Sequence, residues 1–327
     1  MHGFKTAFGM LLACSLAATV PPALAADSYP NKPIRLMVGF PPGTATDTVA
    51  RLIAERLGQL YNWNVVVENK AGQAGSIGAT DVVRAAPDGY SLLISANGPL
   101  STNPNLYAST IRYNPTKDFT AISKVADLPY IMAVRTDSPY KSVQELLQAA
   151  KAKPGDLNYA TLGQGSTSHL ISATFATKTG TEYMHVPYKG SSEAMVAVIS
   201  GDVDFIFDTS VAVAPQIQAN RVRPLAVSTA SRMSAMPDIP TLDESGVSGF
   251  DMAAWLGVVG PAGIPEDIVK KLNAGLREAL SSPEVIERMN ALGSVVTLST
   301  PEEFSEFLVT EFSKWGDALT QAGVPRQ

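Results

Sequence analysis

The sequence predicts an α/β protein built from two doubly wound lobes, and three observations predict this fold class. Short apolar segments alternate with segments of helical periodicity at the spacing of βαβ units. The composition, with 45% hydrophobic and 17% charged residues, is typical of a chain that buries a full core. The 327 residues also exceed the length of about 250 to 300 residues at which a single core stops growing, so two cores are expected.

The first 25 residues have the pattern of a secretory signal peptide. Lys5 is the only charged side chain before Asp27, an apolar run follows it, and Ala23-Leu24-Ala25 forms a small-x-small cleavage signal. Cleavage there would leave 302 of the 327 residues and remove Cys14, the only cysteine, so we expect an exported chain without disulfides. In an alternative interpretation, Leu11-Leu12-Ala13-Cys14 is a lipoprotein cleavage box and Cys14 carries a lipid anchor.

Charge and motif content argue against several classes of function. The chain has 25 basic and 30 acidic side chains and no basic cluster interleaved with aromatic residues, which argues against nucleic-acid binding. With three histidines, one of them in the leader, a histidine-rich metal site is not expected. Gly163-x-Gly165 lacks the third glycine of a dinucleotide fingerprint, and no Walker loop occurs. No later run approaches the roughly 20 apolar residues of a membrane-spanning helix. We therefore expect a soluble mature protein without cofactor or metal.

The first predicted lobe opens with a strand, a tight turn and a helix. Five of the residues 34–40 are apolar and predict a buried strand, which Pro41-Pro42-Gly43 cannot continue. Several hydroxyl and carboxylate side chains are then candidate caps for an apolar-periodic helix. A strand at 64–68, a helix at 76–86 and a strand at 91–95 complete a mostly parallel sheet.

The second predicted lobe repeats this alternation. A capping box, Ser142-x-x-Glu145, marks the start of one of its helices. Its predicted elements are the strand 130–135, helix 143–151, strand 157–161, helix 168–177, strand 183–186, helix 193–200 and strand 203–207. The tail is predicted to be helical at 266–280, 283–292 and 301–322, and these helices are expected to buttress a sheet.

Polar turns follow five of the predicted strands, at 41–48, 95–103, 162–169, 186–192 and 207–210. Ligands of open α/β sheets bind beyond the carboxyl ends of the strands, so these turns are the candidate binding site. They are rich in hydroxyls, amides and glycines and poor in charge, which is typical of a clamp for a small molecule. The candidate residues are Phe40, Thr44, Ala45, Thr46, Asp47, Ser95, Asn97, Gly163, Ser166, Thr167, Ser168, His169, Tyr188 and Asp208.

Two of these turns are alike, because each runs from a strand through glycine and hydroxyl residues into a helix. The free amides of a first helical turn, with the positive end of the helix dipole, can hold a carboxylate without Arg or Lys. A ligand with two acidic ends could thus be held by one helix terminus from each lobe. The alternative for the first turn is an ordinary strand-to-helix corner.

Nucleophilic catalysis is a second hypothesis. Ala74-Gly75-Ser76-Ile77-Gly78 is a relaxed version of a serine nucleophile elbow, but it follows a glycine turn rather than a strand, and Ser76 is otherwise expected to cap a helix. Ser166 and Ser168 precede His169 closely, yet neighbouring residues of a helix do not face each other. His185 is expected to be a core or edge residue with its hydrogen bonds satisfied. A secreted hydrolase that uses Ser76 or Ser166 remains the alternative to a binding protein.

Motifs in a fixed order run through the whole mature chain. They include Tyr29-Pro30-x-Lys32-Pro33-Ile34, Phe40-Pro41-Pro42-Gly43-x-x-x-Asp47, Val67-Glu68-Asn69-Lys70, Pro87-Asp88-Gly89-Tyr90, His185-Val186-Pro187-Tyr188-Lys189-Gly190 and Pro237-Asp238-Ile239-Pro240-Thr241. In this order the motifs resemble the substrate-binding proteins of tripartite tricarboxylate transporters, the Bug or TctC-like family.

The resemblance implies a periplasmic binding protein of type II, whose two α/β lobes are joined by two crossing strands and close on an organic acid. It implies lobe I at 26–127 plus 228–327, lobe II at 128–227, presentation of the acid to membrane permease subunits, and no catalysis. A monomer is expected. The partner could instead be a membrane sensor, and the ligand could be a mono-, di- or tricarboxylate, an aromatic acid, an acidic amino acid or a neutral amide.

The resemblance also implies roles for the site residues. A ligand carboxylate would lie on the backbone amides of Thr44 to Thr46, with two ordered waters and the hydroxyls of Ser166, Thr167 and Ser168, while Tyr188 and Asp208 lie on neighbouring loops. Thr44 replaces the second glycine that the family usually has, and Gln73-Ala74-Gly75-Ser76 replaces a glycine-rich stretch. Phe40 either stacks on an aromatic ligand or ends the strand core, and His169 either lines the pocket or caps the helix.

Overall fold

The computed structural model describes residues 29–291 and 293–327 of the chain. The predicted signal peptide, its cleavage site and Cys14 lie outside the described residues, as does position 292, the predicted end of one tail helix.

Strands and helices alternate along most of the chain, as the sequence predicts. In chain order the elements are β1 (Ile34–Val38), α1 (Ala45–Tyr61), β2 (Val65–Asn69), α2 (Ser76–Val83), β3 (Ser91–Ala96), α3 (Asn103–Leu106), β4 (Phe119–Leu128), β5 (Tyr130–Arg135), α4 (Val143–Ala152), β6 (Asn158–Thr161), α5 (Thr167–Thr179), β7 (Met184–Pro187), α6 (Ser191–Ser200), β8 (Phe205–Thr209), α7 (Ser210–Gln218), β9 (Val222–Val227), β10 (Ala254–Pro261), α8 (Glu266–Leu280), α9 (Pro283–Ala291), β11 (Val295–Val296) and α10 (Pro301–Gln321).

The strands form two separate sheets, one in each lobe. The six-stranded sheet has the order β11-β4-β10-β3-β1-β2, and the five-stranded sheet has the order β7-β6-β8-β5-β9. In the larger sheet β1 pairs in parallel with β2 and β3, whereas β10 and β11 pair antiparallel with their neighbours. In the smaller sheet β6 is parallel to β7 and β8, and β5 is antiparallel to β8 and β9. The two-lobe α/β prediction is confirmed, but the sheets are mixed rather than mostly parallel, because β10 runs antiparallel to its neighbours in the larger sheet and β5 runs antiparallel to its neighbours in the smaller one.

The chain crosses between the sheets twice. β4 leads directly into β5 through Pro129, and the return path runs from β9 through residues 228–253 to β10. Ser228 ties the two paths together: its amide donates to the carbonyl of Tyr130 at 2.9 Å, its hydroxyl accepts from the Tyr130 amide at 3.2 Å, and its carbonyl accepts from the Met252 amide at 2.9 Å. The two crossings therefore lie side by side and form the hinge region.

The last helix, α10, packs into both cores. Near its start, Phe304 and Leu308 are buried against the larger sheet, and near its end, Trp315 and Leu319 are buried in the core of the second lobe. Between them the Glu311 carboxylate, 1% exposed, accepts the indole N–H of Trp255 at 2.7 Å and that of Trp315 at 2.6 Å. The division of the chain into lobes at 26–127 plus 228–327 and at 128–227 remains a prediction. Helix α10, which that division assigns to lobe I, contributes to the cores of both lobes.

Candidate functional site

A cavity of about 340 Å³ lies between the lobes at the carboxyl ends of β1, β3 and β6. Its lining comes from both sides of the cleft, and the Asn97 amide donates across it to the hydroxyl of Thr167 at 3.4 Å. The lining residues are Phe40, Ala74, Ala96, Asn97, Gly98, Thr102, Asn103, Leu106, Tyr107, Tyr130, Gln164, Gly165, Ser166, Thr167 and Ala254.

The first turn, at the start of α1, is organised by Asp47. Thr44 is the N-cap and its hydroxyl accepts from the Asp47 amide at 3.4 Å. The buried Asp47 carboxylate in turn accepts from the Gly43 amide at 2.9 Å, from the Asn69 side chain at 2.9 Å and from Arg51 at 3.0 Å. Burial alone would raise the pKa of Asp47, but these hydrogen bonds and the Arg51 charge outweigh it and hold the pKa below its ordinary value. Asp47 thus shapes the turn, while the first helical amides remain without an intrahelical acceptor.

The second turn, at the start of α5, has the same form. Ser166 is the N-cap and its hydroxyl accepts from the His169 amide at 3.2 Å, while Nδ1 of the His169 ring accepts from the Gly165 amide at 3.0 Å. Gly43 and Gly165 both have positive φ, +84° and +74°, a conformation that favours glycine. The segments Gly43-Thr44-Ala45-Thr46-Asp47 and Gly165-Ser166-Thr167-Ser168-His169 therefore match position by position.

Four of the predicted site residues line the cavity: Phe40, Asn97, Ser166 and Thr167. The first turn lies beside the lining rather than in it. The side-chain amide of Asn69 links the two, because it donates to the Asp47 carboxylate of the turn and to the carbonyl of Phe40, the latter at 3.0 Å. Ala45 is exposed, Thr44 is partly exposed and Thr46 is buried.

The other predicted residues do not belong to the lining. Ser168, 1% exposed, donates its hydroxyl to the carbonyl of Phe207 at 2.5 Å. Asp208 is fully buried and accepts from the Ser191 hydroxyl and from the Thr209 amide; burial raises its pKa, and these hydrogen bonds oppose the rise. Gly163 is beside the carbonyl of Tyr188, whose side chain packs on the apolar core below α6. The assignment of these residues to ligand binding remains a prediction.

His169 is turned away from the cavity. The side chain is 4% exposed, and its ring stacks on that of His185 with centroids 4.0 Å apart and an interplanar angle of 6°. Nε2 of His185 lies 2.6 Å from the hydroxyl of Thr161. Of the two roles that the sequence left open for His169, the geometry matches the one in which it closes the helix start.

Several lining residues did not stand out in the sequence. Tyr130 and Ala254 follow the two crossings, Leu106 ends the short helix α3 and Tyr107 follows it; no local motif marks them. Thr102, 5% exposed, lines the cavity, and its hydroxyl has no hydrogen-bond partner within the described part of the chain. The hydroxyl of Ser95, which is fully buried, is also without a partner there. Burial raises the pKa of Tyr130, so its phenol stays protonated and can donate.

The geometry gives no support to a catalytic serine. In residues 29–291 and 293–327, the hydroxyls of Ser76 and Ser166 make no hydrogen bond to a histidine ring. Ser76 is fully buried and accepts from the Asn103 side chain at 3.0 Å; Gly75 is the helix N-cap, so the expected capping role of Ser76 is wrong. The same part of the chain contains no group of three or more potential metal-ligating side chains. None of its helices has the length and apolar character needed to cross a bilayer.

Two α/β lobes, joined by two chain crossings and enclosing a cavity edged by helix N-termini, define a two-lobed solute-binding protein. A family model described as "Tripartite tricarboxylate transporter family receptor" matches residues 49–324. The chain belongs to this family.

Individual relatives agree with this assignment. Protein BugT of Bordetella pertussis is 34% identical over 301 residues, which are 92% of this chain and 92% of BugT. The structure of Rpa4515 from R. palustris with adipate is 34% identical, with a TM-score of 0.75 over 90% of this chain and 98% of the other. MatC (Rpa3494) from Rhodopseudomonas palustris with bound malate is 31% identical, with a TM-score of 0.70 over 89% of this chain and 100% of the other.

Proposed function

We propose that this protein is a periplasmic receptor that binds a small organic carboxylate between its lobes and delivers it to the membrane subunits of a tripartite transporter. The observation that carries the proposal is the pair of matching turns, one in each lobe, that start α1 and α5. Each places the first amides of a helix at or beside the cleft, where the helix dipole favours an anion. The acid would reach the amides of Ala45 and Thr46 from one lobe and those of Thr167 and Ser168 from the other.

The charge of the cavity supports a ligand that is recognised through hydrogen bonds. The lining contains hydroxyl, amide and aromatic side chains, and none of its described members is Lys, Arg, Asp or Glu. A carboxylate can be satisfied there by amide and hydroxyl donors, each charge-assisted bond contributing about 1.5 to 3 kcal/mol. The unpartnered hydroxyl of Thr102 adds a donor or acceptor for a further polar group of the ligand.

Size and relatives point to the same ligand class. A cavity of about 340 Å³ suits a small molecule. The structures of the two similar proteins were determined with adipate and with malate, both aliphatic dicarboxylates. Two acidic ends match one helix terminus in each lobe, so we place an aliphatic dicarboxylate first among the candidates.

The remaining features of the proposal follow the family. We infer a non-catalytic monomer, exported by a cleaved signal peptide, with the lobes at 26–127 plus 228–327 and at 128–227. Among the described residues no hydrogen bond joins the hydroxyl of Ser76 or Ser166 to a histidine ring, which supports binding without turnover.

A thermal unfolding screen tests the proposal. The purified protein without its first 25 residues would be heated with adipate, malate, terephthalate and nicotinate, and in parallel with adipamide and nicotinamide. A ligand at 100 times its Kd adds about 2.7 kcal/mol to the free energy of unfolding, which should raise the melting midpoint by several degrees.

The matched amides make the result decisive. An acid that raises the midpoint, when its amide does not, supports recognition of a carboxylate. If no acid raises the midpoint, or if each amide acts as strongly as its acid, the two helix termini are not a carboxylate clamp and the proposal is wrong.

A further inference from the structure

The first turn of α5 is closed by a histidine ring at a position where helices often have a carboxylate. In a capping box the third helical residue is Glu or Gln, and its side chain accepts a backbone amide from the helix start. Here the third helical residue is His169, and its Nδ1 accepts the amide of Gly165 at 3.0 Å. The backbone amide of His169 donates to the Ser166 hydroxyl at 3.2 Å. His169 therefore closes the turn with two hydrogen bonds, one through its ring and one through its amide.

The matching turn of α1 uses a carboxylate in this position, and its surroundings differ. Asp47 accepts the Gly43 amide at 2.9 Å, and its negative charge is balanced by Arg51 at 3.0 Å. A neutral imidazole supplies the same acceptor in α5 without adding a negative charge next to the cleft. The helix terminus thus keeps its full attraction for an anion.

The ring of His169 is held by a stack on one face and by the hydrogen bond at its Nδ1. It stacks face to face on His185 at 4.0 Å, and His185 stacks in turn on Tyr159 at 5.3 Å. His185 is anchored by the contact of its Nε2 with the Thr161 hydroxyl at 2.6 Å. A buried ring in such a stack cannot rotate away from Gly165, which itself lines the cavity beside Ser166.

We propose that His169 is a positioning residue for the ligand: the lone pair of its Nδ1 fixes the Gly165 peptide, and thereby holds the Gly165–Thr167 turn in the geometry that receives an anion. The inference rests on the proposed function, because it assigns the residue that shapes the second half of the same clamp. It predicts that the ring must stay neutral for the turn to hold, since a proton on Nδ1 would face the Gly165 N–H donor to donor.

The groups around the His169 ring favour its neutral form. His185 lies against the ring from β7, with Tyr159 of β6 behind it. On β8, the Asp208 carboxylate accepts hydrogen bonds from Ser191 and Thr209. On α10, Lys314 and Asp317 line a separate groove, together with Thr174 and Lys178 from further along α5. Burial, followed by the charge of His185, lowers the pKa of His169 to about 4. Ligand affinity should therefore fall as the pH is lowered toward that value.

Two variants separate the acceptor from the ring. His169→Asn places a side-chain oxygen near the position of Nδ1 and removes the stacked ring, whereas His169→Phe keeps a ring and removes the acceptor. Each full-length mature variant would be labelled with ¹⁵N-glycine, and the Gly165 amide resonance followed from pH 7 to pH 4 without ligand. The Kd for adipate and for malate would be measured over the same range by calorimetry.

In the wild type the Gly165 resonance should shift with a midpoint near the His169 pKa, and affinity should fall further than protonation of the acid itself accounts for. His169→Phe should expose the Gly165 amide to rapid exchange and weaken binding about tenfold at pH 7, whereas His169→Asn should bind within about threefold of wild type and keep only the pH dependence that comes from protonation of the acid. A residue that merely filled space would give the opposite order, with Phe tolerated better than Asn. That order, or an unchanged Gly165 resonance in His169→Phe, would overturn the inference.

The glycine resonance does not depend on a ligand, so the two proposals can fail separately. If neither acid binds the wild type, the carboxylate assignment fails, while the Gly165 resonance still decides whether His169 holds the turn. If the acids bind and the resonance ignores both variants and pH, the carboxylate assignment stands and the positioning role is wrong.

Discussion

Replacement of Ala45 by proline removes one proposed ligand contact and leaves the helix intact. Ala45 is the first residue of α1, where proline is favoured because that position needs no amide donor. Thr44, the residue before it, has φ −72° and ψ 161°, an extended conformation that is compatible with a following proline. The side chain of Ala45 is exposed, so the pyrrolidine ring displaces no core atom. The substitution therefore deletes a backbone N–H with little other change.

The expected loss of affinity follows from that single hydrogen bond. A charge-assisted bond from an amide to a carboxylate contributes about 1.5 to 3 kcal/mol, so Ala45→Pro should raise the Kd roughly 10- to 150-fold. The free energy of unfolding should change by no more than about 0.5 kcal/mol, as for other exposed substitutions without a structural conflict. Calorimetric titration with the acid that gives the largest thermal shift, and urea unfolding without ligand, measure the two quantities.

A matched control separates the amide from proline itself. Glu266→Pro makes the same change at the first residue of α8, an exposed position after Pro265 and away from the cavity. Its affinity should equal that of the wild type. If Ala45→Pro binds as tightly as Glu266→Pro, the amide of Ala45 does not hold the ligand and the account of the first turn is refuted.

Three further predictions concern stability and the second turn. Because burial lowers the pKa of His169 from 6.5 to about 4 on folding, the unfolded chain takes up its proton first, and between pH 6.5 and pH 4 the wild type should lose up to about 1.4 kcal/mol more of its free energy of unfolding per pH unit than His169→Asn; urea unfolding of both proteins measures this difference in slope, and equal slopes would contradict it. Glu311→Ala leaves the indole N–H groups of Trp255 and Trp315 buried without an acceptor, so it should cost about 2 to 6 kcal/mol, whereas the exposed Glu306→Ala on the same helix should cost little; similar losses would count against the buried network. Thr167→Pro, at the first residue of α5, removes the matching amide of the second lobe together with the Thr167 hydroxyl. It should lower the affinity for the same acid by at least as much as Ala45→Pro does, and unchanged affinity would show that α5 contributes nothing to binding.

Local signals predicted the elements that carry them. The predicted N-cap of α4 is present, since the Ser142 hydroxyl accepts the Glu145 amide at 3.2 Å, but the capping box is not complete: the Glu145 carboxylate accepts the amide of Lys141, one residue before the N-cap, at 2.7 Å. β5 begins and ends where the sequence predicts, and so does α8. The two matching turns at the starts of α1 and α5 were found for the same reason, because a strand, a glycine and a hydroxyl cap stand next to each other in the chain.

Strand β10, which follows the second crossing, could not be found in this way. β10 (Ala254–Pro261) contains two glycines and a proline, which usually indicate a turn. Gly257 is there because Phe304 of α10 occupies the space beside it: a Cβ would lie 2.1 Å from that ring. The glycine is thus required by a residue 47 positions away in the sequence. Tyr130 and Ala254 likewise reach the cavity because of contacts between distant parts of the chain. Such long-range causes leave no local pattern.

The position of α10 in both cores has a consequence for how the chain acquires its structure. Residues at the very end, from Trp315 to Val324, complete the core of a lobe whose strands lie between residues 130 and 227. A chain that emerges from a membrane channel N-terminus first cannot close that core until its last residues are outside. The second lobe therefore keeps apolar surface exposed until α10 packs against it. The contacts that complete its core join residues nearly two hundred positions apart in the sequence, and such long-range contacts slow folding. Removal of residues 315–324 would therefore unfold a region far from the cut.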